Sequence, residues 1–192
     1  MTREEDTTIR KARSGDVDAT RELVERYQGP LVSFLYGLSG DEFTTEDLAQ
    51  EALLRALSSL ENFKPGGSFR SWLFGIAYHV HVDHLRKRKE RPVQSLVEDE
   101  AIRRIGQIAR VRGPDEDNQV LETEERITRL RQALEQMNPE YRAVLSARYL
   151  QDLGRNEIAQ MLGISEYNVK MRLYRAKKEL VDRFERISRK TD

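Results

Sequence analysis

Apolar residues recur at three- and four-residue steps along most of this chain, and no convincing run of strand-like alternation interrupts them. Leu23, Val24, Tyr27, Leu31, Phe34 and Leu35 predict a helix that Asp18 is placed to cap, with Gly29-Pro30 as a point of bending. Thr44-x-x-Asp47 has the form of a capping box. The helix it starts, 45–60, is expected to bury Ala49, Leu53, Ala56, Leu57 and Leu60. Residues 62–68, NFKPGGS, form a loop by composition. In the next helix Leu73, Ile76, Ala77, Val80 and His84 line one face, while His79, Asp83 and Arg86 share another. From Pro92 to Asn118 the pattern degrades; 101–111 is at best a short helix, weakened by Gly106 and ended by Gly113-Pro114. A second helical module begins near Gln119 with the stripe Ile127, Leu130, Leu134, Met137. Asn138-Pro139 closes that helix and opens another, with Asn as cap and Pro at the first helical position. The expected fold is all-α: two small helical domains, 1–91 and 119–192, joined by a linker, 92–118.

The C-terminal domain carries the sharpest local pattern. In NEIAQMLGISEYNVKMRLYRAKK, from Asn156 to Lys178, a short helix bearing Ile158, Ala159 and Leu162 meets a turn at Gly163. Ser165 then caps a longer helix, which makes a helix-turn-helix. Val169, Leu173, Ala176 and Leu180 form the apolar back of that second helix. Tyr167, Met171, Tyr174, Arg175 and Lys178 point the opposite way, flanked by Lys170 and Lys177. An apolar back with an aromatic and basic front suits a DNA major groove; the plainer alternative is a solvated charged helix.

A second concentration of aromatic and basic residues lies at FRSWLFGIAYHVHVDHLRKRKER, from Phe69 to Arg91. Cations hold phosphates and aromatic faces accept unstacked bases, so the segment suits opened or single-stranded nucleic acid. Equally, its aromatics can be core and its basic tail an ordinary helix end. His81 and His84 share a face but His79 does not, and without a third histidine there the metal-site alternative is weak. The helix over 45–60 has an unusual outer face, with Leu54 among Asp47, Gln50, Glu51, Arg55 and Ser58. That is the pattern of a docking surface, unless Leu54 packs under the 62–68 loop.

Overall charge conceals this organisation: 33 basic residues balance 33 acidic ones. Acidic residues gather in 41–51 and 115–125, basic ones in 86–91 and 170–178, as expected of separate protein and DNA faces. With no cysteine, disulfides and thiolate metal sites are excluded. No apolar stretch has the length of a signal peptide core or a membrane helix, so a soluble cytoplasmic protein without membrane insertion is expected.

Three collinear stretches resemble the extracytoplasmic-function (ECF) group of bacterial sigma factors: EDLAQEALLRAL at 46–57, FRSWLFGIAYHVHVDHLRKR at 69–88, and NEIAQMLGISEYNVKMRLYRAKKEL at 156–180. The resemblance implies a promoter-specificity factor with no catalytic residues, cofactor or metal of its own. Its first domain would melt and read the −10 element, and its second would read the −35 duplex. It implies docking on core RNA polymerase, on the β′ clamp helices through Asp47, Leu48, Gln50, Glu51 and Leu54, and on the β subunit. It implies −10 contacts from Asn62, Phe63, Lys64, Ser68, Trp72, His79, Arg86, Lys87 and Arg88. The implied −35 contacts are Ser165, Tyr167, Asn168, Lys170, Met171, Arg172, Tyr174, Arg175 and Lys178. Control by an anti-sigma protein is implied as well. His79 stands where the family usually has Asn, a departure that bears on direct −10 contact by that residue. Gly154-Arg155-Asn156, Tyr167-Asn168 and Met171 also depart from the family pattern, and these point to an unusual −35 preference. The competing account is a helix-turn-helix repressor or activator that binds a palindrome as a dimer. It leaves the Asp47–Leu54 face and the aromatic–basic helix without a purpose.

Overall fold

The computed structural model describes residues 3–64, 66–90 and 117–191, and among them every regular element is helical. The expected linker, with its short 101–111 helix, falls almost entirely outside the described residues. In chain order the elements are α1 (Arg3–Arg13), α2 (Val17–Ser39), α3 (Glu42–Ser58), a 3-10 turn (Leu60–Asn62) and α4 (Phe69–Glu90). After these come α5 (Asp117–Glu135), α6 (Pro139–Leu145), a π turn (Ser146–Leu150), α7 (Arg155–Leu162) and α8 (Glu166–Thr191).

Capping chemistry moves two of the expected boundaries. Asp16, rather than Asp18, caps α2 by accepting from the Ala19 amide at 2.9 Å, and the helix continues through Pro30 to Ser39. Asp41 caps α3 by accepting from the Thr44 amide at 2.7 Å, so that helix starts three residues before the expected 45. Thr45 is buried there and its hydroxyl donates back to the Asp41 carbonyl at 2.6 Å. In the second domain Asn138 accepts from the Glu140 amide at 2.9 Å ahead of Pro139, as the sequence predicts. Gly163 ends α7 at φ 64°, a left-handed conformation that glycine adopts without penalty.

The first domain is built around α4, against which α2 and α3 pack. Phe34 of α2 and Phe74 of α4, both fully buried, meet edge to face with centroids 5.0 Å apart. A second aromatic group joins Tyr27, Phe63, Phe69 and Trp72 at 5.2–5.5 Å. Helix α1 had no counterpart among the expected elements. It lays Ile9 and Ala12 into the core, and its Glu5 accepts a hydrogen bond from the Tyr27 hydroxyl.

The two domains close on one another at two glycines. A Cβ on Gly37 of α2 would lie 2.5 Å from the Ser146 hydroxyl and 2.7 Å from a Leu150 methyl. One on Gly75 of α4 would lie 3.0 Å from the backbone carbonyl oxygen of Met161 in α7. Arg70 donates to the Gln151 carbonyl, and the Ser68 hydroxyl donates to Glu157 at 3.3 Å. His81 of α4, only 2% exposed, lies beside the buried Arg142 of α6 with neither ring nitrogen hydrogen-bonded. Desolvation, reinforced by the Arg142 charge, holds its pKa down to about 4.

Candidate nucleic-acid and polymerase interfaces

The recognition helix presents the face its periodicity predicts. Ser165 caps α8, accepting from the Asn168 amide at 3.2 Å. Val169 and Ala176 are fully buried beneath it, against α5, α6 and α7. On the outer side Tyr167 and Tyr174 are 69% and 67% exposed, accompanied by exposed Asn168, Lys170, Arg175 and Lys178. Two of the proposed −35 residues sit less freely. Met171 is half-buried. Arg172 is half-buried too and forms an ion pair with Glu140 at 3.0 Å, which commits its charge to α6. Lys177 leans over the Tyr149 ring at 5.4 Å.

In the first domain the structure divides the aromatic–basic segment. Phe69 (3% exposed) and Phe74 (0%) are core, so neither offers a face to a base. Phe63, grouped with the −10 contacts above, is corrected in the same way: at 3% exposed its ring is buried against both Phe69 and Trp72. Trp72 is half-buried in that cluster. Apart from His79, the exposed candidates lie at or beside the ends of α4. At its start are Asn62 and Lys64, with half-buried Ser68, whose hydroxyl accepts from the Ser71 amide at 3.2 Å. Toward its end are Arg86, Lys87 and Arg88, while His79 is exposed at mid-helix. Arg86 also pairs with Asp83 at 3.3 Å.

On α3 the docking pattern is partly redrawn. Leu48 is 3% exposed and belongs to the core, because it continues the Ala52 and Ala56 row at four-residue steps; it cannot meet a partner. Leu54 is 62% exposed, so it does not pack under the 62–68 loop. It shares its face with exposed Gln50, Asp47 and Phe43, at steps of four, three and four, and Phe43 is 65% exposed. Sequence reasoning missed Phe43, although the same periodicity that selected Leu54 also reaches it. Arg55 bridges Glu51 of α3 and Asp83 of α4, and the Glu51 hydrogen bond raises its pKa. Arg13 also went unnoticed. Its guanidinium donates to the carbonyls of Leu60 (2.9 Å), Glu61 (2.8 Å) and Phe63.

A basic recognition helix behind a helix-turn-helix, a second basic helix end and an acidic, apolar-studded face define a helical DNA-binding factor that also docks on protein. Comparison with known proteins narrows this class. The Sigma-70 region 2 family matches residues 23–91, and Sigma-70, region 4 matches residues 127–180. The ECF RNA polymerase sigma factor SigX of Bacillus subtilis is 32% identical over 184 residues, covering 88% of this chain and 91% of SigX. SigW of the same organism, also an ECF RNA polymerase sigma factor, is 28% identical over 174 residues, covering 90% and 92%. The fold is similar to that of CnrH, solved with the cytosolic domain of CnrY (TM-score 0.67, 21% identity, 93% and 95% coverage). It is also similar to that of the sigma factor RpoE of Bartonella quintana, solved with the anti-sigma factor NepR (TM-score 0.64, 19% identity, 88% and 98% coverage). The chain belongs to the ECF family of RNA polymerase sigma factors.

Proposed function

We propose that α3 is the polymerase-docking element, that the 62–68 loop with the exposed parts of α4 takes single-stranded −10 DNA, and that α8 reads the −35 duplex. The observation that carries this division is the separation of an acidic face with exposed Phe43 and Leu54 from the basic faces of α4 and α8. The docking set becomes Phe43, Asp47, Gln50, Glu51 and Leu54. The −10 set becomes Asn62, Lys64, Ser68, half-buried Trp72, His79, Arg86, Lys87 and Arg88. The −35 set becomes Ser165, Tyr167, Asn168, Lys170, Tyr174, Arg175 and Lys178, with Met171 at its margin. The factor acts in the cytoplasm by recruitment and strand capture, and no covalent step is asked of it. Unstacking a base costs a few kcal/mol, so phosphate contacts and a preformed loop must offset it.

Promoter reading requires the domains to part. Elements centred near −10 and −35 lie about 25 base pairs apart, roughly 85 Å of B-DNA. A closed chain of this size has a radius of gyration of roughly 16 Å. The 26 positions from 91 to 116 span roughly 90 Å at full extension, which suffices. In the closed form Ser68 is engaged by Glu157 and the α4 surface around Gly75 is covered by α7. This closed form suits a factor held inactive until released, and control by an anti-sigma protein fits it.

A pull-down with core RNA polymerase tests the division. The wild-type chain is expected to bind core, and Leu54→Asp to weaken binding by about tenfold or more while the helical content stays unchanged. Unaltered affinity in the variant removes α3 from the docking role. Failure of the wild-type chain to bind core, alongside tight binding to a palindromic duplex, would favour the dimeric repressor.

A further inference from the structure

The segment that leads into the 62–68 loop is one short 3-10 turn, in which the Phe63 amide donates to the Leu60 carbonyl at 3.2 Å, and a single turn satisfies few of its carbonyls. Three carbonyls of this segment share one side-chain partner. Arg13, the last residue of α1, donates from Nε to the Leu60 carbonyl at 2.9 Å and from Nη2 to the Glu61 carbonyl at 2.8 Å and to the Phe63 carbonyl. The partners lie 47–50 residues away in sequence. A planar guanidinium with a fixed fork of donors can span several carbonyls at once, and its charge strengthens each bond.

The anchor is itself rigidly placed. Ile9 and Ala12 bury α1 against α2, and the Thr8 hydroxyl reaches Glu22 at 3.3 Å. From the same segment the buried Phe63 ring packs against both Phe69 and Trp72, which also touch each other. The entry to the loop is therefore gripped twice, by its backbone through Arg13 and by its side chain through Phe63. Its exit is gripped by the Ser68 cap of α4. Among the described residues, exposed Lys64 and Gly66 and half-buried Gly67 lie between the grips, with exposed Asn62 inside the held entry, short polar and basic chemistry suited to one unstacked base and its phosphate.

We propose that Arg13 is a positioning residue for base capture: it presets the loop so that a single extruded −10 base meets a formed pocket rather than a segment that must order on binding. This rests on the assignment of the loop to −10 capture. Arg13 touches no DNA in this account. Its effect is on selectivity at the captured base, transmitted through three backbone carbonyls.

The test uses the full chain assembled with core polymerase and fork-junction DNA, with a duplex −35 and a single-stranded −10 carrying each of the four bases in turn at the captured position. Arg13→Met keeps the aliphatic stem and removes the donors; Arg13→Lys keeps the charge but not the fork. Thr8→Val serves as the control that loosens α1 without touching the loop. Arg13→Met is expected to lower affinity for the preferred base about tenfold and to flatten the preference among the four. Binding to core and to a −35 duplex should stay within about twofold, and Arg13→Lys should fall between. An unchanged preference in folded Arg13→Met or Arg13→Lys overturns the proposal. So does a loss equal for all four bases and reproduced by Thr8→Val, because that is the signature of general loosening. If the wild-type chain shows no preference at any single-stranded position, the loop assignment fails and Arg13 loses its role with it.

Discussion

Helices α4 and α8 both carry aromatic and basic residues, yet they place them in opposite ways. In α4 the aromatics point inward: Phe69 and Phe74 are core, Trp72 and Tyr78 are half-buried, and DNA chemistry is left mainly to the two ends of the helix, with His79 exposed between them. In α8 the aromatics point outward, with Tyr167 and Tyr174 among exposed cations and an apolar back of Val169 and Ala176. The cause is the position of each helix in its domain. α4 is packed by α2 and α3 on one side and by α7 on another, whereas α8 covers its domain with a single face. Aromatic residues next to cations therefore signify a DNA surface only where the opposite side of the helix already supplies the core. For α4 the function moves from the helix face to its ends, which need other elements, Arg13 among them, to hold them in place.

The sharpest way to break this contrast is to truncate one aromatic from each helix. Phe74→Ala removes a fully buried ring from contact with Phe34 and should cost about 3–5 kcal/mol, seen in denaturant unfolding. Tyr174→Ala, made at an exposed position, should change stability by no more than about 0.5 kcal/mol while weakening −35 duplex binding. Similar unfolding costs for the two would erase the distinction.

Part of this distinction was legible in the sequence. The α8 stripe, the Gly163 turn and the Asn138 and Ser165 caps are local patterns, set by residues at most a few positions apart. The start of α3 was misplaced because Asp41 competes with Thr44 as a cap, and both satisfy the local rule. Leu48 was legible as core from its four-residue spacing to Ala52 and Ala56, but the family motif drew it into the docking set. Helix α1 offers only Ile9 and Ala12 as buried apolar contacts, too few to announce itself. Nothing local marks Arg13, whose partners lie 47–50 residues away. The seats at Gly37 and Gly75 were likewise invisible, since a glycine inside a helix reads as a weak position until the neighbour that needs the space is known.

The closed contact offers a smaller but directional test. His81 is held near pKa 4 in the folded protein against about 6.5 when exposed, so the unfolded chain binds the extra proton first. Its contribution is fully present above pH 6.5 and is lost as pH falls from there toward 4, by at most about 3 kcal/mol. Protonation also sets an imidazolium against Arg142. Stability followed by denaturant unfolding between pH 7.5 and 4.5 should therefore decline more steeply in the wild-type chain than in His81→Leu. Parallel declines would show that this histidine does not govern the contact.

The most direct test of the central claim assigns the two DNA elements separately. Polymerase loaded with the wild-type chain, with a chain whose 62–68 loop is replaced, or with Arg175→Ala/Lys178→Ala would transcribe a promoter set in which −10 and −35 sequences vary independently. The account predicts that loop replacement reorders the −10 sequences and leaves the −35 ranking intact. The α8 variant should weaken dependence on the −35 element and leave the −10 ranking intact. If both variants shift the same element, or neither shifts any, the division of promoter reading between the two domains is wrong.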